Sequence, residues 1–318
     1  MKAVRIHADG GPEVLRYEDA PDPEPGPGEV LVELRAAALN RLDLWIRKGL
    51  PSVPKPRILG ADGAGLDRSG RRVVINPGIE HGDRIDVVGE HMDGTYAELI
   101  AVPETNVYPI PDGISFEEAA AFPLVFETAY RMLVTRAAVR EGEWVLVWGA
   151  GSGVGTAALQ ITKALGGRVV ATSSSDAKLE RARDLGADVV VNHETADVVE
   201  AVREATGGPG VEIVVEHVGE ATWQTSLQAV RPHGRIAVCG ATSGPNPKAA
   251  LHRVWWKQLT ILGSTMGTQG DFEGAYELVK SGRAEPIVDS VFPLSEAAAA
   301  HERMESGQHF GKVVLSIP

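Results

Sequence analysis

A glycine-rich run is the most informative group of residues in this sequence. Gly149-Ala150-Gly151-Ser152-Gly153-Val154-Gly155 follows an apolar stretch and opens a helical pattern. Glycine lets a backbone turn tightly and approach a pyrophosphate closely, and a helix N-terminus offers free amide groups. Glycine occupies every second position here, so the strict G-x-G-x-x-G spacing is not met, and a plain connecting turn is the alternative. The strand–turn–helix context favours a dinucleotide site, with phosphate contacts at Gly151, Ser152, Gly153 and Val154.

The residues after the next predicted strand bear on the choice of cofactor. NAD-binding proteins usually place an acidic residue there to hold the ribose hydroxyls. This chain has Ser173 and Ser174, with Lys178 one helical turn later. Hydroxyl groups and a cation suit the 2′-phosphate of NADP(H). Asp176 is the competing candidate, but its position suits a helix cap. The pattern therefore favours NADP(H) over NAD(H).

These motifs lie within a series of alternating strand and helix patterns. Such alternation is typical of a parallel sheet, and about six strands with helices on both faces form a Rossmann, doubly wound architecture. The predicted strands are 144–148, 168–172, 189–191, 211–216, 235–239 and 259–262, and the helices between them include 154–165, 176–185 and 196–206.

The N-terminal and C-terminal parts of the chain differ from this central part in their hydrophobic patterns. Period-2 apolar patterns at 30–34, 72–75 and 96–102, with little helical signal, predict a mostly β domain. Ser115 and Glu118 have the spacing of a capping box and begin an alanine-rich helix. The tail predicts strands at 287–292 and 312–317 around a helix at 295–304 and is expected to pack on the first domain. We therefore predict an α/β protein with domains 1–118 and 119–266 and a returning segment 267–318.

Composition excludes several function classes. The formal net charge is -12 and no basic run stands out, which argues against a nucleic-acid or anionic-membrane surface. The N-terminus lacks a signal-peptide pattern and no apolar run approaches the length of a membrane span, so a cytoplasmic location is expected. The single cysteine, Cys239, excludes a disulfide framework and a cysteine-rich metal site.

The order of several short motifs resembles the medium-chain dehydrogenase/reductase family over essentially the whole chain. This resemblance implies a GroES-like mostly-β domain, a Rossmann domain and a nicotinamide cofactor lying between them. The motifs that carry it are 1–4, 11–15, 25–30, 38–43, 59–65, 94–98, 262–266 and 310–314.

Within that family the main division is between zinc and zinc-free members. Zinc alcohol dehydrogenases place a cysteine where this chain has Asn40, a histidine where it has Ala61 and a third ligand near Leu124. None of these side chains is a usual zinc ligand. The family's four-cysteine lobe corresponds to a short segment, 79–84, without cysteine. The resemblance therefore implies the zinc-free quinone oxidoreductase-like branch, with no metal site.

The resemblance also indicates candidate catalytic residues. Asn40 and Trp45 are expected near the substrate, and Thr128 resembles a threonine that contacts the nicotinamide or its ribose. Some quinone reductases carry tyrosine where this chain has Trp45, and an indole can donate a hydrogen bond but cannot act as an acid. Trp45 as a core residue is the alternative. Arg41 or Arg47 would supply a more remote positive charge.

Further cofactor contacts follow the family's path along the chain. His217 could border the adenosine site or be solvated, and Lys312 resembles a residue near the phosphates, with an exposed strand lysine as the alternative. The remaining candidates, at strand ends, are Gly240, Ala241, Ser264, Thr265 and Met266.

Three functions are compatible with these motifs. The leading one is a zinc-independent NADPH-dependent oxidoreductase that transfers hydride to quinones or α,β-unsaturated carbonyls, small-molecule acceptors that need little polarisation. The alternatives are an alcohol/aldehyde dehydrogenase of the same superfamily and a non-catalytic NADPH-binding protein. Trp255 and Trp256 precede a strand that commonly pairs with its twin in this family, so a homodimer is expected; the alternative is that the tryptophans line the cleft.

Overall fold

The computed structural model describes residues 1–318 and divides the chain into two compact units. Unit 1 comprises Met1–Leu124 and Pro286–Pro318, and unit 2 comprises Val125–Glu285. None of the helices combines the length and the hydrophobicity that a membrane span requires.

Unit 1 is mostly β structure built on alternating apolar residues. Its core includes the fully buried side chains of Leu34, Ile75 and Tyr96. The N-terminal segment contains β1 (Lys2–Ile6), β2 (Leu15–Asp19), β3 (Glu29–Ala38), α1 (Arg41–Arg47), β4 (Arg57–Ile58), β5 (Asp62–Asp67), β6 (Arg72–Ile75), β7 (Gly78–His81), β8 (Arg84–Val87), β9 (Leu99–Pro103), β10 (Val107–Pro109) and α2 (Phe116–Ala120).

Ser115 and Glu118 form the predicted capping box at the start of α2. The Glu118 amide donates to the Ser115 hydroxyl at 3.1 Å, and the Ser115 amide donates to the Glu118 carboxylate at 2.8 Å. The short helix α1 was not predicted, because seven residues give too little periodicity to reveal it.

Unit 2 contains the predicted parallel sheet. The strand order is β13-β12-β11-β14-β15-β16, with every pair parallel, which is the doubly wound order in which the sequence reverses direction between β11 and β14. The elements are α3 (Pro123–Tyr130, across the unit boundary), a π-helical turn at 131–136, β11 (Trp144–Val147), α4 (Gly153–Ala164), β12 (Arg168–Ser173), α5 (Asp176–Asp184), β13 (Val189–Asn192), α6 (Val198–Thr206), β14 (Val211–Glu216), α7 (Trp223–Ala229), β15 (Val230–Val238), α8 (Leu251–Trp256), β16 (Thr260–Gly263) and α9 (Gln269–Lys280).

The unit boundaries differ from the predicted ones. The predicted returning segment began at 267, whereas residues 267–285 belong to unit 2. Helix α9 packs against α4, and its buried Asp271 accepts a hydrogen bond from Arg131 at 3.1 Å. The Glu285 amide likewise donates to the side-chain oxygen of Gln160 at 2.8 Å. The first boundary falls after Leu124 rather than 118, because α2 packs against β3 and β5 of unit 1.

The tail completes unit 1 as predicted. It forms β17 (Val288–Pro293), α10 (Ala297–Glu305) and β18 (Lys312–Ser316). Strand β18 pairs with β17 on one side and with β3 on the other, within a sheet ordered β10-β6-β5-β3-β18-β17 that also has β9 paired to β3. The last strand of the chain therefore lies in the interior of the unit 1 sheet.

Strand β16 forms one edge of the unit 2 sheet and is flanked by exposed apolar side chains. Trp255 and Trp256 end α8 with 65% and 84% of their surface exposed, and Ile261 on β16 is 44% exposed. The helix before β16 was not predicted, since its six residues make fewer than two turns. An unpaired edge beside exposed tryptophans is a surface that soluble proteins normally cover.

Candidate functional site

The carboxyl edge of the unit 2 sheet collects most of the predicted cofactor residues. Parallel strands all end at this edge, and ligands bind there in doubly wound folds. In strand order the residues at the ends of β13, β12, β11, β14, β15 and β16 are His193, Ser173 with Ser174, the glycine turn, His217, Gly240 with Ala241, and Ser264 with Thr265 and Met266.

The glycine turn forms the start of α4 in the way the sequence predicts. Ser152 is the N-cap residue of α4, and its hydroxyl accepts a hydrogen bond from the Gly155 amide at 3.0 Å. A Cβ atom at Gly155 would lie 2.3 Å from the Gly149 carbonyl oxygen, so only glycine fits. Ser152, Gly153 and Val154 are partly exposed, while Gly151 is buried. The turn therefore presents the free amides of a helix N-terminus to a ligand.

The end of β12 carries hydroxyl groups, with a lysine in the following helix. Ser173 is buried and its hydroxyl accepts from the Ser175 amide at 3.2 Å, whereas Ser174 is exposed. Lys178 is partly exposed on α5. Asp176 was expected to cap α5, but the N-cap residue is Ser175, and Asp176 in the first turn accepts a hydrogen bond from the Asn192 side chain at 2.7 Å.

His193 is a candidate that the sequence interpretation missed. It follows β13, and its amide donates to the Ser173 carbonyl at 3.1 Å, which places it beside the end of β12. Burial lowers the pKa of His193 below its usual range, so the imidazole is neutral at neutral pH. The sequence could have indicated His193, because ligand contacts are expected at the ends of all strands of a parallel sheet. His193 follows β13 as His217 follows β14.

Several buried polar atoms at this sheet edge lack hydrogen-bond partners, which bears on whether a dinucleotide could bind there. Thr172 Oγ1, His193 Nδ1 and Ser264 Oγ are buried and make no hydrogen bond. Buried polar atoms normally find a partner, so such atoms along one sheet edge suit a polar ligand. Together with the glycine cradle, they fit a nicotinamide dinucleotide.

The remaining predicted residues of unit 2 have distinct settings. Thr128 is buried on α3 and does not follow a strand of the sheet. Gly240 and Ala241 are partly exposed, and Thr265 is exposed. Met266 is buried with a φ of 46°, a left-handed conformation that a non-glycine residue seldom adopts and that marks a constrained turn at this edge.

In unit 1 three neighbouring strands bring Asn40, Asp62 and Lys312 together. Strand β3 lies between β5 and β18, so residues at the end of β3, the start of β5 and the start of β18 become neighbours. Lys312 Nζ donates to Asn40 Oδ1 at 2.5 Å and to Asp62 Oδ2 at 2.8 Å. Asn40 Nδ2 also donates to Asp62 Oδ2 at 2.9 Å. All three side chains are buried, and Lys312 is not an exposed strand lysine.

The positions that the family resemblance matches to zinc ligands, Asn40, Ala61 and Leu124, lie beside Asp62. The Leu124 amide donates to Asp62 Oδ1 at 2.8 Å, Asn40 donates to Oδ2, and Ala61 precedes Asp62 in the chain. No group of three or more His, Cys, Asp or Glu side chains in the structure could hold a metal ion. A lysine ammonium group, hydrogen-bonded to a carboxylate and an amide, therefore lies at this position.

A second buried carboxylate, Asp43, supports the segment that leads into α1. Asp43 Oδ2 accepts hydrogen bonds from the Asn40 amide at 2.7 Å and the Tyr96 hydroxyl at 3.0 Å, and Oδ1 accepts from the Gly60 amide at 3.2 Å. Burial raises the pKa of Asp43 to about 6 despite these donors. Burial and the nearby Asp43 also raise the pKa of Tyr96, so its hydroxyl stays protonated. Asp43 thus fixes the backbone on which Asn40 lies.

The two arginines expected to supply a remote positive charge, Arg41 and Arg47, both lie on α1 but differ in their exposure. Arg47 is fully buried and donates to Glu305 at 2.7 Å and to the Gly10 carbonyl at 3.2 Å, so it serves the fold. Arg41 and Trp45, four residues apart on one face of α1, are both partly exposed. A guanidinium and an indole on one exposed face can contact a planar or anionic ligand.

Comparison with known proteins identifies the family. The model of the alcohol dehydrogenase GroES-like domain matches residues 26–112, and that of the zinc-binding dehydrogenases matches residues 153–281. The chain is 35% identical to a quinone oxidoreductase of Pseudomonas aeruginosa, over 99% of both chains. A crystal structure described as an NAD-dependent alcohol dehydrogenase is 45% identical with a TM-score of 0.97, over 100% of both chains. A mycobacterial protein solved with NADPH is 30% identical with a TM-score of 0.87, also over 100% of both chains.

These matches confirm the predicted fold class, with a Rossmann-type parallel sheet in unit 2 and a GroES-like domain in unit 1. The matches extend over nearly the whole chain, and so do the short motifs on which the family resemblance rests. The chain belongs to the medium-chain dehydrogenase/reductase superfamily of NAD(P)H-dependent oxidoreductases, in its quinone oxidoreductase-like branch.

Proposed function

We propose that the protein is a zinc-independent oxidoreductase that uses NADPH to transfer hydride to quinones or α,β-unsaturated carbonyl compounds. One observation carries the proposal: the Lys312 ammonium group is hydrogen-bonded to Asp62 and to Asn40, a position that the family resemblance matches to a zinc ligand. An ammonium group there repels a divalent cation, and Asn40 and Ala61 offer neither thiolate nor imidazole.

The chemistry of these acceptors suits a site without a metal. A bound nicotinamide supplies the hydride, and the protein must position it and stabilise charge on the acceptor. Quinones and activated enones accept hydride with less polarisation than simple ketones. The donors available in unit 1 are the partly exposed Trp45 indole and the Arg41 guanidinium, and these are the groups we assign to the acceptor.

The preference for NADPH is supported by the end of β12. Ser173, Ser174 and Lys178 offer hydroxyls and a cation, and the competing carboxylate of Asp176 is hydrogen-bonded to Asn192. A 2′-phosphate gains from a nearby cation and from hydroxyl donors. The remaining contacts of the cofactor are assigned to the glycine turn, His217, Gly240, Ala241 and the 264–266 segment.

The deciding experiment follows the absorbance of NADPH and NADH in parallel, with quinones, enones and aldehydes as acceptors, and measures metal content in the same preparation. We expect NADPH oxidation with quinones or enones by protein that contains no stoichiometric zinc. Activity that depends on stoichiometric zinc, or a clear preference for NADH, contradicts the proposal. Tight NADPH binding with no acceptor reduced would instead indicate a non-catalytic NADPH-binding protein.

A second candidate is an NAD(H)-dependent alcohol/aldehyde dehydrogenase. It is favoured by the 45% identity to a structure described as an NAD-dependent alcohol dehydrogenase. Oxidation of primary or secondary alcohols with NAD⁺, at rates above those of quinone reduction with NADPH, would establish it.

The proposed assembly is a homodimer. Its supporting feature is the unpaired edge of β16 beside the exposed Trp255 and Trp256. Antiparallel pairing of β16 with the same strand of a second copy would satisfy the open backbone groups of that edge and cover the apolar side chains around it.

A further inference from the structure

Glu216 is a buried acid at the carboxyl end of β14, and its side chain is fully bonded. It is 0% exposed. Oε1 accepts hydrogen bonds from the Val218 amide at 2.9 Å, the Gly219 amide at 3.1 Å and the Thr222 hydroxyl at 2.8 Å. Oε2 accepts from the Ser226 hydroxyl at 2.6 Å. The carboxyl group thus holds the loop after β14 on one oxygen and the first turns of α7 on the other.

The Ser226 hydroxyl extends this network to the glycine turn. It accepts a hydrogen bond from the Trp148 indole Nε1 at 2.8 Å. Trp148 directly precedes Gly149, and its carbonyl accepts a hydrogen bond from His217 Nε2 at 2.8 Å. Because His217 follows Glu216 in the chain, the contacts form a closed circuit from Trp148 through Ser226, Glu216 and His217 back to Trp148.

The circuit joins the two strands between which the sheet reverses its order. Strands β11 and β14 are neighbours at this point, and ligands of doubly wound sheets bind outside the carboxyl ends of such strands. The glycine turn and the loop after β14 lie close together. A Cβ atom at Gly149 would be only 3.3 Å from His217 Cε1. The position of the turn is therefore coupled to the Glu216 side chain.

Burying the Glu216 carboxyl group at the end of β14 costs free energy that an apolar side chain there would not cost. A buried carboxyl group costs free energy unless every acceptor position is filled, and apolar side chains of similar volume often stabilise as well or better. No ion pair involves Glu216, and all its partners are uncharged donors. What the acid adds over an apolar residue is a fixed geometry of the groups it binds.

We infer that Glu216 is a positioning residue for the dinucleotide: through Ser226 and Trp148 it holds the glycine turn, and through the 217–219 loop it holds His217, in the arrangement that binds the cofactor. The inference rests on the proposed binding of NADPH at the glycine turn. A residue with this role sets the affinity for the cofactor and leaves the hydride-transfer step unchanged.

The chain offers a matched control for the Trp148 contact. Trp148 and Trp223 are both buried, at 3% and 9% exposure, in the same apolar cluster of unit 2. Trp148 donates its indole N–H to Ser226, whereas the Trp223 indole nitrogen has no hydrogen-bond partner. Trp148→Phe and Trp223→Phe therefore remove the same volume and the same group, but only Trp148→Phe breaks the circuit.

The test measures the Kd for NADPH by calorimetry, and KM and kcat for NADPH, in the wild type and both variants. We expect Trp148→Phe to raise Kd and KM about fivefold, as the loss of one buried hydrogen bond implies. Trp223→Phe is expected to bind NADPH as the wild type does, and kcat should be unchanged in both. Equal Kd values in the two variants would overturn the inference.

Ser226→Ala and Glu216→Gln test the rest of the circuit. Ser226→Ala breaks the link between Trp148 and Glu216 and leaves both side chains without this partner, so it should raise Kd at least as much as Trp148→Phe does. Glu216→Gln presents an amide where Ser226 now donates, and a larger rise in Kd is expected; should this variant fail to fold, Ser226→Ala still decides. Wild-type affinity in Ser226→Ala contradicts the inference. A wild-type protein that binds neither NADPH nor NADH contradicts the proposed function itself, which separates the two failures.

Discussion

Lys312 Nζ lies 2.8 Å from the Asp62 carboxylate, although the two residues are 250 positions apart in the chain. Both side chains are almost completely excluded from solvent, with 3% and 0% exposed. The pair joins the tail to the N-terminal segment of unit 1, and Asn40 bonds to both partners. The sheet of unit 1 thus contains an internal charge pair.

Loss of one partner of this pair should destabilise unit 1 strongly. Lys312→Met leaves the Asp62 charge buried without a cation, and we expect the free energy of unfolding to fall by about 3–5 kcal/mol. Urea unfolding at neutral pH measures the effect. Lys163→Met is the control, because the Lys163–Asp188 pair is 31% exposed on each side and should contribute less than about 1 kcal/mol. Equal losses in the two variants would contradict this prediction.

Acid should destabilise the protein through His301. Burial and the neighbouring Arg47 lower the pKa of His301 to about 3, and the free imidazole titrates near 6.5. The folded state therefore binds fewer protons, so this contribution is complete above about pH 6.5 and is lost as the pH falls toward 3, by up to about 1.4 kcal/mol per pH unit. The His301→Gln variant, which keeps an acceptor for Arg47, should lose less stability between pH 6 and 4.

Unfolding titrations at several pH values check this slope. The control is His81→Gln, since the His81 side chain is 54% exposed and should leave the slope of the wild type unchanged. A slope in His301→Gln that matches the wild type would show that His301 does not determine the acid sensitivity.

Lys178 should determine the choice between the two nicotinamide cofactors. A charged hydrogen bond to a 2′-phosphate is lost in Lys178→Ala, so the Kd for NADPH should rise about tenfold or more, while the Kd for NADH stays nearly the same. Calorimetric titration with both cofactors measures the difference. Arg183→Ala, which removes an exposed cation from the same helix, is the control and should change neither value. Parallel weakening of NADPH and NADH would count against a phosphate contact.

The oligomeric state should depend on the edge of β16. Ile261→Lys places a charge on an exposed position of this strand, and we expect it to convert a dimer into monomers. Light scattering coupled to size-exclusion chromatography gives the mass. Val291→Lys, at a 48% exposed position on β17, is the matched control and should remain a dimer. A wild-type protein that elutes as a monomer would refute the proposed pairing.

The sequence revealed the sheet of unit 2 well because its strands are apolar runs with turns at regular spacing. The strands and helices from β11 to β14 lie within a few residues of their predicted bounds. The same regularity made the cofactor edge predictable, since parallel strands all end on one side. His193 was missed although it satisfies that rule, because its short strand leads into a polar segment without a recognisable motif.

The side-chain network of unit 1 could not be derived from the sequence in the same way. The contact between Lys312 and Asp62 depends on β18 lying next to β3, and no local pattern specifies which strands become neighbours. The role of Asp43 likewise depends on Tyr96, which is 53 residues away. Short helices such as α1 and α8 were missed because propensity and periodicity carry little information over six or seven residues.

The position of β18 has a consequence for synthesis on the ribosome. Unit 2 is one continuous segment, so all of its strands are available once residue 285 has emerged. Unit 1 is different, since the strand that lies between β3 and β17 is the last one to be made. Until β18 is made, the end of β3 lacks a partner on one side and Asp62 lacks its cation, so the nascent N-terminal segment exposes an open sheet edge.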